Sequence, residues 1–164
     1  MERFVTVGVD GSSGGRRALT WAVRHALATG ATVDIVTAYK PEPLTYTAVG
    51  TDGQDLARRF AAERQDLDLR EVLAHFPAGQ EPAIRRRVLP GDPVDVLLEA
   101  AWTADLLVLG SHGRGQLATT LLGSVSEACV RRGVTPVLIV PAHDRTAGQK
   151  GADSPLTVPT SATA

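Results

Sequence analysis

Three glycines and a serine at fixed spacing follow a short apolar segment in the second half of the chain. Gly110 and Gly113 come directly after residues 106–109, and Gly123 with Ser124 leads into a predicted helix. Glycines let a backbone turn and approach a ligand with no side chain in between. A helix start presents unpaired N–H groups and the positive end of the helix dipole, and both attract phosphate. These residues therefore predict a phosphate-binding loop.

The end of this loop has the pattern of a capping box, with Ser124 as N-cap and Glu127 at the third helical position. It predicts that the helix starts at Val125, whose backbone joins the candidate site. A structural alternative stays open, in which the glycines only shape a turn and Ser124 only caps the helix.

Two commoner phosphate loops are excluded by the residues present. Lys40 and Lys150 are the chain's lysines, and neither follows a glycine of the Walker A pattern. The dinucleotide pattern Gly-x-Gly-x-x-Gly fails at its last position, which is Ala118.

The pattern that is present, Gly110, Gly113, Gly123 and Ser124, resembles the nucleotide-binding branch of the universal stress protein family. The resemblance covers residues 1–141 and includes three further segments, residues 7–12, 91–93 and 137–141. It implies ATP as the ligand and backbone contact with adenine at Ala38. It also implies a signalling module of the stress response.

Composition favours a single globular domain without a polyanionic partner. The chain has 164 residues, 43% of them hydrophobic, with 17 Lys+Arg against 18 Asp+Glu and a net charge of −1. We therefore expect no nucleic-acid or membrane partner. The single cysteine, Cys129, cannot form an internal disulfide, and the N-terminus has no signal-peptide pattern, so we predict a cytoplasmic location.

Apolar segments alternate with helical patterns along residues 1–141, which predicts one α/β domain followed by a disordered tail at 142–164. The predicted strands cover residues 4–9, 33–39, 84–89, 106–109 and 134–140. Strands separated by helices pair in parallel through crossovers, so we predict a doubly wound five-stranded parallel sheet with helices on both faces. The resemblance implies the strand order 3-2-1-4-5 of the adenine nucleotide alpha hydrolase-like fold.

That order makes the third and fifth strands the edges of the sheet. Arginines 85, 86 and 87 on the third strand oppose edge pairing, whereas the fifth strand exposes an apolar edge. We predict a homodimer paired through Val137, Leu138, Ile139 and Val140, as the resemblance also implies. The alternative is an edge covered by the C-terminal tail. Residues 40–54, rich in Pro and Gly, are the candidate for a mobile flap.

The first strand leads into a second candidate segment, in which Asp10 and Gly11 precede a helix with Ser13 as its predicted N-cap. Ser12 or Gly11 is expected near the nucleotide. Asp10 would hold Mg²⁺ beside the phosphates or lie by the adenine and ribose, or it would only close an Asx-turn.

Inside the glycine loop, Arg114 and, more weakly, His112 are candidate phosphate ligands, with solvated loop residues as the alternative. No residue is an obvious general base, so we expect at most slow ATP hydrolysis or autophosphorylation. Two rival classes remain: a slow ATPase or autophosphorylating enzyme, and a dimeric interaction protein without nucleotide.

Residues 11–15 also satisfy the serine-hydrolase pattern Gly-x-Ser-x-Gly, which requires an acid and then a histidine downstream. The available acid is Asp105, and the available histidines are His112 and His143. Asp105 begins a strand far from the expected ligand edge, which argues against a hydrolase.

Overall fold

Parallel strands and connecting helices alternate along the chain, as the computed structural model shows for residues 2–40, 53–112 and 122–141. The predicted flap and the C-terminal tail lie largely or wholly outside these residues. The elements are β1 Phe4–Gly8, α1 Ser13–Thr29, β2 Thr32–Tyr39, α2 Gly53–Leu73, β3 Ile84–Pro90, α3 Pro93–Ala100, β4 Leu106–Gly110, α4 Ser124–Arg132 and β5 Val137–Val140.

The five strands form one parallel sheet in the order β3-β2-β1-β4-β5, which confirms the predicted fold class. The fifth strand is shorter than predicted: it starts at Val137, and not at residue 134. Pro136 precedes it because proline has no N–H to donate to a ladder. The backbone carbonyl of Pro136 still accepts a hydrogen bond from Leu107 N at 2.9 Å.

Two apolar layers lie on opposite faces of the sheet. One face packs against α1 and α2, with Leu19, Val23 and Ile35 fully buried. The other face packs against α3 and α4, around Val36 and Leu107. The chain reverses its winding between β1 and β4, so the switch point of the fold lies at their C-terminal ends.

Helix boundaries follow local capping chemistry. Gly30 ends α1 in the left-handed conformation with a φ of 69°, and its N–H donates to Ala26 O. Asp92 is the N-cap of α3, and its side chain accepts from Val94 N at 3.0 Å. Both boundaries agree with the sequence pattern, because each depends on residues adjacent in the chain.

Two arginines of the edge strand β3 also form ion pairs with a buried carboxylate on β2. Arg85 and Arg87 both donate to the carboxylate of Asp34 on β2, which is fully buried. Burial raises the pKa of Asp34, but the hydrogen bonds from Arg85 and Arg87 outweigh it, so the net pKa is lowered. This ion cluster ties the edge strand to the sheet.

Among the helices of the described residues, none is both long and apolar enough to cross a membrane.

Candidate functional site

A cavity of ≈ 420 Å³ opens at the C-terminal ends of β1 and β4, where the switch point predicts a ligand site. Its volume is in the range of small-molecule sites. Residues from both sheet faces and from the starts of α1 and α4 line it. The lining consists of Gly8, Val9, Asp10, Ser12, Gly15, Val36, Ala38, Pro93, Leu97, Leu109, Gly110, His112, Gly123, Ser124, Val125 and Ser126.

The start of α1 forms one wall of the cavity. Asp10 Oδ1 accepts from Ser12 N at 3.0 Å, which is the Asx-turn considered from the sequence. Ser12 is the N-cap, because its Oγ accepts from Gly15 N at 3.0 Å. The prediction of Ser13 as N-cap is therefore wrong by one residue. The turn made by Asp10 brings Ser12, and not Ser13, into capping position.

The start of α4 forms the facing wall. The helix begins at Ser124 with Gly123 as N-cap, so the predicted capping box on Ser124 is wrong. Gly123 has no side chain to cap with, and the first-turn amides, from Ser124 to Ser126, have no acceptor within the helix. Gly123 N donates to Ser111 O at 2.7 Å, which fixes the helix start against the end of β4.

Ser126 makes a second connection between α4 and β4. Its buried hydroxyl donates to Gly110 O at 2.7 Å. Together with the Gly123–Ser111 hydrogen bond, it holds the first turn of α4 toward the cavity. The starts of α1 and α4 thus face one space, and each directs a positive dipole end into it.

Close packing of β4 on α1 requires a glycine at position 110, and the sequence alone does not show this. A Cβ at this position would lie 2.6 Å from the backbone C and O atoms of Gly14 in α1. At Gly14, in turn, a Cβ would overlap the backbone oxygen of His112. The two glycines therefore permit β4 and its following loop to pack directly on the first turn of α1. Gly110 lines the cavity, but contact with protein already requires a glycine there.

The remaining wall is apolar. Val36 and Ala38 contribute from β2, Leu97 and Pro93 from α3, and Leu109 from β4. This wall lies on the face of the sheet covered by α3 and α4, as the second apolar cluster shows. The cavity thus has one side suited to a planar apolar group and another suited to an anion.

The structure brings together most of the residues predicted for the site. Asp10, Ala38, Gly110, His112, Gly123, Ser124 and Val125 all line the cavity. Gly11 does not. It has a φ of 83°, and a Cβ there would overlap the side chain of Arg64 on α2. Gly113 and Arg114 lie outside the described residues.

Several lining residues were not predicted from the sequence. Pro93 is in the first turn of α3 and Leu97 is on its apolar face, and neither position indicates a cavity from the sequence alone. The same holds for Ser126 in the first turn of α4. Its contact with Gly110 joins residues 16 positions apart, and no local pattern reports it.

The side chains at this site have few features of a hydrolase. Asp105 accepts from Phe4 N at 3.0 Å, at the end of the sheet opposite to the cavity, so it cannot orient a histidine near Ser13. His143 lies outside the described residues. Within the described ranges, no group of three or more His, Cys, Asp or Glu residues has the arrangement of a metal site. His112 Nδ1 lies 3.0 Å from Ser111 Oγ.

A parallel, doubly wound sheet with a cleft at its switch point places the protein among α/β proteins that bind ligands beyond the carboxyl ends of their strands. The chain belongs to the universal stress protein family, because the model of that family matches residues 1–141.

Relatives within that family differ in length. A universal stress protein of Thermus aquaticus is 34% identical over 142 residues, which cover 85% of this chain and 99% of the relative. One of Mycobacterium tuberculosis is 30% identical over 146 residues, which cover 85% of this chain and 48% of the relative. The chain thus spans about half the length of the mycobacterial relatives it matches.

Solved structures of the family share the fold. A universal stress protein in complex with cAMP is 34% identical, with a TM-score of 0.54 over 84% of this chain and 96% of that chain. UspA from Lactobacillus plantarum has a TM-score of 0.70 at 20% identity, over 84% of this chain and 97% of that chain. The second likeness concerns the fold alone.

Proposed function

We propose that this universal stress protein is an ATP-binding signalling module of the stress response, without fast catalysis. One observation carries the proposal: the N-termini of α1 and α4 converge on a single cavity whose opposite wall is apolar. An adenine nucleotide has the matching chemistry, with a flat base at one end and phosphates at the other. A cytoplasmic location, proposed on the single buried Cys129, accompanies this function.

Phosphate would be held by backbone groups. The first-turn amides of α4 at Ser124 and Val125 lack helical acceptors, and Gly123 puts no side chain in front of them. Ser12 N and Gly15 N are already engaged with side chains of the α1 turn, so α1 contributes its dipole more than free donors. The base would lie against Val36 and Ala38.

Charge balance at the phosphates needs a further cation. The described lining contains no Lys or Arg, and Asp10 adds a negative charge. A Mg²⁺ ion bound with ATP would neutralise the phosphates, and the carboxylate of Asp10 is the side chain placed to help hold it. Arg114, outside the described residues, is the proposed second source of positive charge.

Slow turnover is expected from the same lining. Asp10 and His112 are the titratable side chains among the described lining residues. Asp10 Oδ1 already accepts from Ser12 N, and the His112 ring lies beside Ser111 Oγ. Neither arrangement leaves an evident general base for water, so ATP hydrolysis or autophosphorylation would be slow.

Cyclic AMP is a second candidate ligand. A relative 34% identical to this chain was solved in complex with cAMP. Cyclic AMP carries a single negative charge, which suits a lining without lysine or arginine in the described part better than a triphosphate without Mg²⁺ does. Retention of ATP only when Mg²⁺ is present favours the first candidate, whereas cAMP affinity that does not depend on Mg²⁺ favours the second.

Calorimetric titration with ATP, AMP and cAMP, each with and without Mg²⁺, tests the proposal when phosphate release is measured in parallel. Retained ATP without turnover supports the module, and multiple turnovers support the enzyme class. Absence of binding by every adenylate supports a dimeric interaction protein without nucleotide. Gly123→Val should abolish binding with the fold retained. Ala28→Val, which places the same β-branched side chain at an exposed position of α1, is the control and should leave binding unchanged.

The proposed module is a homodimer paired through the edge strand β5. Pro136 O accepts from Leu107 N of β4, and Val140 O accepts from Ser111 N directly after β4. In a parallel sheet, successive residues of one strand direct their N–H and C=O groups to opposite sides. The N–H and C=O groups of Val137 and Ile139 therefore point away from β4, toward the free edge. The four side chains of β5 are all half-buried in the single chain, as expected for an edge that is available to a partner.

A further inference from the structure

Gly11 separates the cavity from the side chain of Arg64 on α2. Gly11 does not line the cavity, although Asp10 and Ser12 on either side of it do. Its φ is 83°, and a Cβ built on it would lie 2.2 Å from Arg64 Cδ and 2.8 Å from Arg64 Cγ. The glycine therefore makes room for the aliphatic part of Arg64, which packs on the turn between β1 and α1.

Arg64 carries a charge that the described part of the chain does not neutralise. Its side chain is half-buried, and it forms no ion pair with any residue that the structure describes. The other arginines of α2 are paired on the same helix, Arg58 and Arg59 with Asp55 and Arg70 with Asp66. A partly buried guanidinium without a counter-charge favours the binding of an anion.

A second arginine at the same turn has its charge already engaged. Arg16 Nη1 donates to Gly11 O and pairs with Asp68 Oδ1, both at 3.2 Å. The Nε atom of Arg16 lies 3.4 Å from Glu71 Oε1. Asp68 is one helical turn after Arg64, at a spacing that allows an ion pair, but it is paired with Arg16 instead. Of these two arginines, Arg64 is the one that can offer its charge to a ligand.

The candidate nucleotide site lacks such a charge among its described lining residues, and Asp10 adds a negative one. Gly11 directly precedes Ser12, the N-cap of α1, and so lies at the end of the cavity that favours an anion. We propose that Arg64 is a phosphate-binding residue whose guanidinium extends over Gly11 to the phosphates of the bound nucleotide. The inference rests on the proposed function, because it assigns a further residue to the same site.

An arginine in this position selects ligands by their charge. Its attraction to a phosphate group grows with the negative charge of that group, and a nucleoside without phosphate does not experience it. ATP with Mg²⁺ carries more negative charge than cAMP, and adenosine carries none. Contacts of the base with Val36 and Ala38 are the same for all three ligands. Loss of the Arg64 charge should therefore affect the three affinities unequally.

Calorimetric titration of the full chain with ATP and Mg²⁺, with cAMP and with adenosine tests the proposal. Arg64→Gln removes the charge but keeps Cγ and Cδ, the two atoms nearest to Gly11. Its dissociation constant should rise about tenfold for ATP with Mg²⁺, by less for cAMP and not at all for adenosine. Arg64→Lys, which keeps the charge, should retain most of the affinity for ATP. For each phosphate-bearing ligand that binds, the dissociation constant should depend less on NaCl concentration in Arg64→Gln than in the unchanged chain.

Arg70→Gln is the matched control on the same helix. The side chain of Arg70 is 77% exposed and already paired with Asp66, so its loss should leave the dissociation constants within about twofold. Unchanged ATP affinity in Arg64→Gln overturns this inference and leaves the proposed function standing. An equal loss for every ligand that binds, with unchanged salt dependence, also overturns it, because Arg64 would then only support the turn. If the unchanged chain binds none of the three ligands, the proposed function fails and this inference fails with it.

Discussion

Gly110 at the end of β4 packs directly on the backbone of Gly14 in the first turn of α1, so close that a Cβ on Gly110 would lie 2.6 Å from Gly14 C and O. This contact sets the distance between the two helix starts at the cavity. The Ser126 hydroxyl donates to the carbonyl of the same residue, Gly110, and connects α4 to it. One glycine thus positions both walls of the candidate site.

Gly110→Ala should therefore lower stability and ligand affinity together. Forcing a methyl group into this contact displaces α1, at a cost of roughly 2 kcal/mol typical of overpacking. Urea unfolding and calorimetric titration measure the two effects. Gly30→Ala is the control, because a Cβ there meets no atom within 4 Å and the left-handed φ alone costs about 1 kcal/mol. Loss of affinity in the Gly30 variant, or none in the Gly110 variant, would contradict this account.

Asp34→Asn should destabilise the fold at neutral pH. The change leaves the guanidinium groups of Arg85 and Arg87 without their carboxylate partner. Because these two side chains are 44% and 29% exposed, the cost should be about 2 kcal/mol, below that of breaking a fully buried ion pair. The pKa of Asp34 is lowered in the folded state, so its stabilising effect is present above the unfolded pKa of about 3.9 and is lost as the pH falls below it. Urea unfolding from pH 7 to pH 3 should show the difference from the unchanged chain shrinking with acid.

Asp68→Asn is the matched control for that experiment. Burial raises the pKa of Asp68, despite the hydrogen bond from Arg16, and among the described residues its Oδ2 has no hydrogen-bond partner. A raised pKa means that the folded state favours the neutral acid, so the carboxylate gains no stability at pH 7. A neutral isostere should therefore change stability by less than about 1 kcal/mol. Equal losses of stability in the Asp34 and Asp68 variants would mean that the hydrogen bonds from Arg85 and Arg87 do not account for the effect of Asp34→Asn.

Ile139→Pro should convert the proposed β5-paired dimer into smaller species without unfolding the chain. The N–H of Ile139 points toward the free edge, so proline removes a donor to the partner and none to β4. Light scattering after size exclusion measures the mass. Leu138→Pro is the comparison, since that N–H faces β4 and its loss should destabilise the sheet itself. An unchanged mass for the Ile139 variant would exclude pairing through β5.

Much of the fold could be predicted from local residues, and the errors are also local. Asp92 and Gly30 are residue types typical of a helix start and a helix end, and they act there because each bonds to its own neighbours in the chain. Both wrong caps, on Ser13 and Ser124, are displaced by one residue. In each case a contact just before the helix, the Asp10 turn or the Gly123–Ser111 hydrogen bond, decides where the helix begins.

Contacts between distant segments could not be predicted in this way. Asp34 lies in an apolar strand, and its pairing with Arg85 and Arg87 depends on strand register between β2 and β3. The order of the strands came from resemblance to a family and not from periodicity. At the site, the glycine spacing points to Gly110 and Gly123, and both line the cavity. The role of Gly110 as a contact with Gly14 appears only in three dimensions.

In the proposed complex, backbone amides at the start of α4 bind the phosphates of an adenine nucleotide whose base lies by Ala38. Amide chemical shifts of the full chain, followed by NMR during titration with ATP and Mg²⁺ and separately with cAMP, test it most directly. Saturable shifts are expected at Ser124, Val125 and Ala38 for at least one adenylate, and these shifts should be lost in Gly123→Val. Shifts that are absent for both ligands, or confined to residues outside the cavity, would contradict it.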